Sequence, residues 1–135
     1  MDVDVVREAL ADAVKGIAKI GRCDAWFPAN INPPQGVVLD GPVDYDLVLG
    51  GGLDETMFAV QVYVNRTSDR AAQQLLNEVK APSGAVSVKA ALEADAVATT
   101  AGVDYVVVRR GSEPKVATIG SGEYLFVEFD VEVVG

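Results

Sequence analysis

Residues 123–134, with the sequence EYLFVEFDVEVV, alternate between two kinds of side chain along their whole length. Successive side chains of a β-strand point to opposite sides of its sheet, so this alternation predicts one strand with two different faces. The first face is apolar and consists of Leu125, Val127, Phe129, Val131 and Val133. The second face carries Tyr124, Phe126, Glu128, Asp130 and Glu132. The segment therefore predicts a long strand that presents a row of three acids, at a sheet edge or toward a lumen.

The two segments before it also have the composition of strands. YVVVRR (105–110) leads through a turn at 111–114 into KVATI (115–119), and Gly120-Ser121-Gly122 turns the chain again. β-Branched residues bounded by glycine, serine and proline are typical of short strands joined by tight turns. The C-terminal third is therefore predicted to be a meander of about three strands.

A second β segment is predicted over residues 43–64. Its first arm is VDYDLVL (43–49), its tip is Gly50-Gly51-Gly52, and its second arm is TMFAVQVYV (56–64). Both faces of the second arm are mostly apolar, which favours a central strand covered on both sides. A short strand at 37–39 is predicted to end at Asp40-Gly41-Pro42.

Helices are predicted over residues 3–20, 68–80 and 87–93. Apolar residues at three- and four-residue steps define the buried stripe of the first helix, and Gly16 is its weak point before the stop at Gly21. Ser68 and Ser87 are suitable N-caps for the other two helices. The proline-rich stretch 22–36 is an extended connector, held to the body by Trp26 and Phe27.

This order of elements predicts a single α+β domain over residues 1–135. We expect an antiparallel or mixed β-sheet of about four to five strands with two main helices packed on it, plus a protruding β-hairpin. Half of the residues are hydrophobic, which is enough to form a core. Residues 1–10 lack the features of a secretory signal, and no apolar run approaches the length of a membrane span.

The net charge of the chain argues against a protein that binds nucleic acid tightly. The chain has 20 acidic and 11 basic residues, a net charge of −9, and no histidine. A strongly acidic domain is poorly suited to gripping a phosphate backbone, although an acidic wall can surround DNA and let it slide. The same charge also serves solubility alone, and both interpretations stand.

The sequence offers little catalytic chemistry, so we expect no catalytic residue, cofactor or metal site. Without histidine, Ser-His-Asp and Cys-His arrangements are impossible, and Cys23 is the single cysteine. The aspartates between 40 and 54 lack calcium-loop spacing, and Gly50-Gly51-Gly52 lacks the lysine of a P-loop. Paired carboxylates remain the one catalytic option, among Glu128, Asp130 and Glu132.

Two exposed segments are candidate contact sites. Arg109, Arg110 and Lys115 form a local basic concentration around a predicted turn. They suit the acidic surface of an identical neighbour, or they are simply a solvated turn. The glycine tip of Gly50, Gly51 and Gly52 is the second candidate.

Four segments together resemble the tail terminator family of long-tailed (siphovirus) bacteriophages. They are the helix VREALADAVKGI with its connector DAWFPANINPP, the strand VVLDGPVDYD, the junction AVQVYVNRTSDRAAQQLLNEV, and the Ser-Val-x-x-Ala-Leu segment from Ser87 to Leu92. The resemblance covers nearly the whole chain.

The resemblance implies a non-enzymatic subunit that assembles as a homohexameric ring. Such a ring caps the tail tube protein, stops its polymerisation, and meets a head-side connector or stopper protein. Viral DNA passes through the lumen without specific binding, and no membrane is involved. The implied location is the head-proximal end of the tail in the virion, after assembly in the host cytoplasm. In such a ring we expect Glu128, Asp130 and Glu132 to face the lumen.

Other interpretations differ in partner and stoichiometry. Another head–tail joining or tail-completion protein shares parts of this pattern. A small-ligand or carbohydrate-binding module would instead use Trp26, Tyr45 and Tyr63 as an apolar pocket. A ring protein is oligomeric or becomes so with its partner, whereas a binding module works alone.

Overall fold

The computed structural model describes residues 1–45, 52–65 and 70–135, which form a mixed sheet with helices on one side. The strands are β1 (Cys23–Asp24), β2 (Gln35–Asp44), β3 (Glu55–Asn65), β4 (Tyr105–Gly111), β5 (Lys115–Ile119) and β6 (Gly122–Val134). The helices are α1 (Val3–Lys15), α2 (Arg70–Val79), α3 (Val88–Leu92) and α4 (Asp95–Ala101). The predicted α+β class is confirmed, with six strands and four helices in the described part of the chain.

β6 is an interior strand of the sheet, whose order is β1-β2-β3-β6-β4, with β5 also paired to β6. β1 is parallel to β2, and all other pairs are antiparallel. β3 lies along one side of β6 for its whole length. β4 and β5 both pair with the other side of β6, at opposite ends of it.

The predicted meander is therefore wrong, because β4 and β5 pair with β6 and not with each other. The reason lies at Ser112, between the two strands. Its N–H donates to the carbonyl oxygen of Glu128 at 2.8 Å, and its hydroxyl accepts from the N–H of Glu128 at 2.9 Å. The linker thus stays attached to β6, and the chain continues along the same side of that strand.

All four helices pack on one face of the sheet. That face buries Val60 and Val62 of β3 and Val127 and Val131 of β6, none of which is exposed to solvent. From α1, side chains of the predicted apolar stripe pack against them; Val6, Leu10 and Val14 are fully buried.

Helix ends follow local capping chemistry. The Asp2 carboxylate accepts hydrogen bonds from the N–H groups of Asp4 and Val5, at 3.1 and 3.3 Å. α1 ends at Lys15 and not at residue 20, since glycine, here Gly16, has the lowest helix propensity of all residues except proline. Ser87 caps α3 as predicted, accepting from the N–H of Ala90 at 3.1 Å. Ser68, the proposed cap of α2, lies outside the described residues.

β2 is longer than the sequence predicts. It continues through Asp40-Gly41-Pro42, where the prediction ended the strand, and its register with β3 shifts between Asp40 and Val43. Such an irregularity is tolerated because β2 lies near the edge of the sheet, where a proline without an N–H does little harm. The predicted second arm is β3, whereas of the predicted first arm (43–49) only Val43 and Asp44 belong to β2, Tyr45 is outside any strand, and residues 46–49 lie outside the described residues. Most of the tip lies outside the described residues.

The other face of the sheet is covered only in part. At one end, Ile31 of the connector packs with Val37 and Tyr63 in a second apolar cluster. At the other end, the described helix and connector residues of these apolar clusters do not extend over Met57, Glu128, Asp130 and Glu132, which are half-buried. We call this uncovered half the open face. The prediction that β3 is covered on both sides therefore holds only next to the connector.

Candidate functional site

The acid row, Glu128, Asp130 and Glu132, lies on an interior strand of the sheet and on the open face. Glu128, Asp130 and Glu132 lie opposite Gln61, Ala59 and Met57 of β3. All three acids are half-buried by their neighbours in the sheet. The expectation of an edge position is wrong, because β4 and β5 occupy the second side of β6 and make it central.

The basic residues lie beside the acids because β4 has a bulge. The register of β4 with β6 shifts between Val108 and Arg110, so Arg109 is an extra residue on β4. Arg109 Nε donates to Glu132 Oε2 at 2.6 Å, and Nη2 lies 2.5 Å from the same oxygen in the ion pair. Arg110 lies opposite Asp130 in the ladder. The acid row is thus partly neutralised within the same chain.

A small polar pocket lies at the boundary between the acids and the basic turn. It has a volume of about 220 Å³ and is lined by Arg110, Ser112, Glu113, Lys115, Glu128 and Asp130. Of the three basic residues proposed as contacts, Arg110 and Lys115 are exposed and form no ion pair with any described residue. As far as the described residues go, these two are therefore the ones available to an acidic partner surface.

Glu55 extends the acidic character to the start of β3. A side-chain hydrogen bond with Glu132 raises the pKa of Glu55, followed by partial desolvation and by the negative charges of Glu132 and Asp44. The positive charge of Arg109 acts in the opposite direction. The neighbouring carboxylate therefore favours the protonated form of Glu55, and Arg109 acts against this effect.

A hydrogen-bonded chain links the acid row to the covered half of the face. The hydroxyl of Tyr63 donates to Gln61 Oε1 at 2.6 Å, and Gln61 Nε2 donates to Glu128 Oε1 at 2.9 Å. Burial, and then the charge of Glu128, raises the pKa of Tyr63 to about 12. The Tyr63 ring stacks on Phe126 at 5.0 Å between centroids. The Glu128 carboxylate is therefore held by one neutral donor, Gln61, which Tyr63 in turn orients.

A buried arginine, which the sequence analysis missed, joins α1 to the sheet and the connector. Arg7 is 6% exposed, and its guanidinium donates to the carbonyl oxygens of Ala25 at 2.7 Å and Val38 at 3.2 Å, and to the Asp40 carboxylate. The ring of Trp26 lies 4.2 Å from its central carbon. One signal was available: Arg7 falls on the same helical stripe as Val3, Leu10 and Val14.

The aromatic residues proposed for a ligand pocket have different surroundings. Trp26 lies on Arg7, Tyr63 is buried against Tyr124 and Phe126, and Tyr45 is 71% exposed. Phe27, expected to hold the connector, is half exposed. Within the described ranges these side chains do not converge on one cavity.

The remaining candidates are the glycine tip and Cys23. Gly52 is exposed with a φ of +93°, a conformation that favours glycine. Gly50 and Gly51 lie outside the described residues.

Burial, with the charges of Asp24 and Asp12, raises the pKa of the Cys23 thiol to about 12, so the thiol is protonated at neutral pH.

Comparisons with known proteins add no assignment. Neither the models of known protein families nor the curated protein sequences include a match to this chain. Among residues 1–45, 52–65 and 70–135, no cluster of three or more carboxylate or cysteine side chains is placed to hold a metal ion. The same residues include no helix that is long and apolar enough to cross a membrane.

Proposed function

We propose that the chain is a tail terminator of a long-tailed bacteriophage. It forms a homohexameric ring on the end of the tail tube, stops tube polymerisation, and joins the tail to a head-side connector or stopper protein. Its place is the head-proximal end of the tail, and its role is structural. Viral DNA passes through the ring without specific binding.

Two features support the proposal. The four segments that resemble the family fall on consecutive parts of one α+β domain: α1 with the connector, β2, the β3-to-α2 junction, and α3. The chain is also strongly acidic, which suits a surface that DNA must pass without sticking.

The observation that carries the proposal is the acid row on the open face. A ring that turns this face inward repeats the row around its lumen, and the like charge repels the DNA phosphates. Arg109 pairs with Glu132, so Glu128 and Asp130 supply most of the repulsion. Arg110, Lys115 and the glycine tip of residues 50–52 are then the candidate contacts between subunits or with neighbouring rings.

Replacing the acids with neutral residues of nearly the same size tests whether the acid row faces the lumen. The double variant Glu128→Gln, Asp130→Asn removes two negative charges from the open face and keeps the size of both side chains. The matched control Glu8→Gln, Asp104→Asn removes two exposed charges elsewhere on the chain. Affinity of assembled rings for short double-stranded DNA is measured by fluorescence anisotropy at low salt. We expect tighter DNA binding by the open-face variant than by the control; equal affinities would remove the lumen assignment.

A further inference from the structure

The edges of the sheet differ in how their outward-facing backbone groups are used. An unpaired edge offers a row of N–H and C=O groups to any extended chain. On β4, the N–H of Val108 donates to Glu93 Oε2 at 2.9 Å, and its carbonyl oxygen accepts from Lys89 Nζ at 3.4 Å. Lys89 and Glu93 also pair with each other at 2.5 Å. α3 therefore closes the edge of β4 at this point.

The opposite edge of the sheet, formed by β1 and β2, is interrupted in a different way. Arg7 Nη2 donates to the carbonyl oxygen of Val38, next to the stretch where β1 pairs with β2. Beyond it, the register shift between Asp40 and Val43 distorts the strand, and Pro42 has no N–H to offer. A partner strand cannot pair regularly along this edge.

Within the described part of the chain, β5 has a regular edge that no such contact or register shift interrupts. It pairs with β6 alone among the described elements, in an unbroken register from Lys115 to Ile119. A two-residue turn joins Ile119 to Gly122, so these two residues form the hydrogen-bonded pair that closes the hairpin. Pairs alternate along an antiparallel ladder, which turns the N–H and C=O groups of Val116 and Thr118 away from β6. The side chain of Val116 is also exposed, at 52%.

We propose that β5 pairs antiparallel with β5 of a second copy of the chain, centred on Ala117. In this register Val116 of one copy lies opposite Thr118 of the other, so the outward N–H and C=O groups of both copies satisfy one another. Val116 and Thr118 are both β-branched, and such cross-strand pairs are favourable. Lys115 lies opposite Ile119, so the pairing brings no like charges face to face.

The contact is weak and has two-fold symmetry. Five residues on each side bury well below the roughly 1,200 Å² that specific stable interfaces need. The dimer is therefore concentration-dependent, and it uses a different surface from the open face. It goes beyond the proposed ring, because an isologous contact joins two copies and does not close a six-membered ring by itself.

Sedimentation velocity from about 10 µM to about 1 mM tests the pairing. Thr118→Pro removes an outward N–H and leaves every hydrogen bond to β6 intact, whereas the control Thr118→Ala keeps that N–H. We expect Thr118→Pro to weaken the dimer by at least about tenfold, and Thr118→Ala to weaken it by less than about threefold. A wild-type chain that stays monomeric over this range, or equal association by all three proteins, overturns the proposal.

Hydrogen exchange on the wild-type chain provides a measurement that does not depend on a variant. The amides of Val116 and Thr118 should gain protection as the concentration rises, while the amide of Ala117, already bonded to β6, should not change. Unchanged exchange at Val116 and Thr118 in a sample that is dimeric would place the contact elsewhere and contradict the proposal. A separate measurement asks whether the Thr118→Pro variant still caps tail tubes. Its result shows whether the ring is retained when the dimer is lost.

Discussion

Arg109 of β4 forms an ion pair with Glu132 of β6: its Nε donates a hydrogen bond to Glu132 Oε2 at 2.6 Å, and Nη2 lies 2.5 Å from the same oxygen. The Arg109 side chain is 57% exposed and that of Glu132 is 15% exposed. The bulge at Arg109 brings the guanidinium over the open face, where it offsets one of the three acids. The pair therefore sets how much net charge the acid row carries.

Arg109→Ala is expected to lower the free energy of unfolding by about 0.5–1 kcal/mol, because solvent screens a pair whose cation is more than half exposed. Urea denaturation measures the loss, and a double-mutant cycle with Glu132→Gln isolates the pair. Arg110→Ala is the control, since Arg110 forms no ion pair with a described residue, and its effect should stay within about 0.5 kcal/mol. Equal losses for Arg109→Ala and Arg110→Ala would show that the pair contributes nothing.

Glu55 should make stability depend on pH above 4.5. Its hydrogen bond with Glu132 raises its pKa from the ordinary value of 4.5, so the folded chain holds a proton that the unfolded chain has released. The free energy of unfolding therefore falls as pH rises from 4.5 through the raised pKa. Glu55→Gln removes this slope. Urea denaturation at several pH values compares the two proteins; identical slopes would contradict the raised pKa of Glu55.

Glu93 should change the free energy of unfolding with pH in the direction opposite to Glu55, and in a lower pH range. Burial, the largest influence, favours the neutral acid, but hydrogen bonds from Lys89 and the Val108 N–H outweigh it and lower the pKa of Glu93. Its stabilising effect is present above 4.5 and is lost as pH falls through the lowered pKa. Glu93→Gln should therefore reduce the acid sensitivity below pH 4.5 and leave the Glu55 slope unchanged. A variant that loses stability with acid as steeply as the wild type would contradict this assignment.

Arg7→Ala should be the most destabilising of these substitutions, at about 3 kcal/mol. It leaves the carbonyl oxygens of Ala25 and Val38 without their donor and Asp40 without its cation. Arg7→Lys keeps the charge but not the fork of donors, so we expect an intermediate loss. The exposed Arg22→Ala is the control, with an effect below about 0.5 kcal/mol. Thermal or urea denaturation that ranks Arg7→Ala with Arg22→Ala would contradict the role of Arg7.

Two glycine substitutions should shift stability in opposite directions. Gly16 ends α1 with a φ of −72°, and an added Cβ would lie 3.5 Å from the carbonyl oxygen of Ala13, an ordinary contact. Gly16→Ala should raise the free energy of unfolding by about 0.4–1 kcal/mol. At Gly41 the added Cβ would overlap the carbonyl oxygen of Met57, so Gly41→Ala should lower it by about 1–3 kcal/mol. Effects of the same sign would contradict the described backbone at one of the two sites.

The sequence predicts local structure best where one physical signal dominates. The alternation of β6 identifies both of its faces, and Ser87 marks the start of α3. α4 escapes prediction because Ala94 supplies no side-chain cap and threonines lower its helix propensity. Its place depends on burial of Val97 and Ala101 in the core, which is a tertiary effect.

Strand partners and buried ions are harder to infer from the chain alone. The alternating pattern in residues 105–119 predicts strands, but it does not show that both strands pair with β6. That pairing depends on the hydrogen bonds of Ser112. The same limit applies to Arg7, whose partners Val38 and Asp40 are far along the sequence. The acid row was found from the sequence, but its central position and its contact with Arg109 depend on pairing between distant segments.

The most direct test of the proposed function is the native mass of the purified chain, alone and mixed with tail tubes. Native mass spectrometry or light scattering should show a hexamer, or a monomer or weak dimer that becomes a six-membered ring on tube ends. Electron microscopy of the mixture should then show capped tubes that no longer elongate. A chain that never forms a six-membered ring and leaves tube growth unchanged would contradict the assignment as a tail terminator.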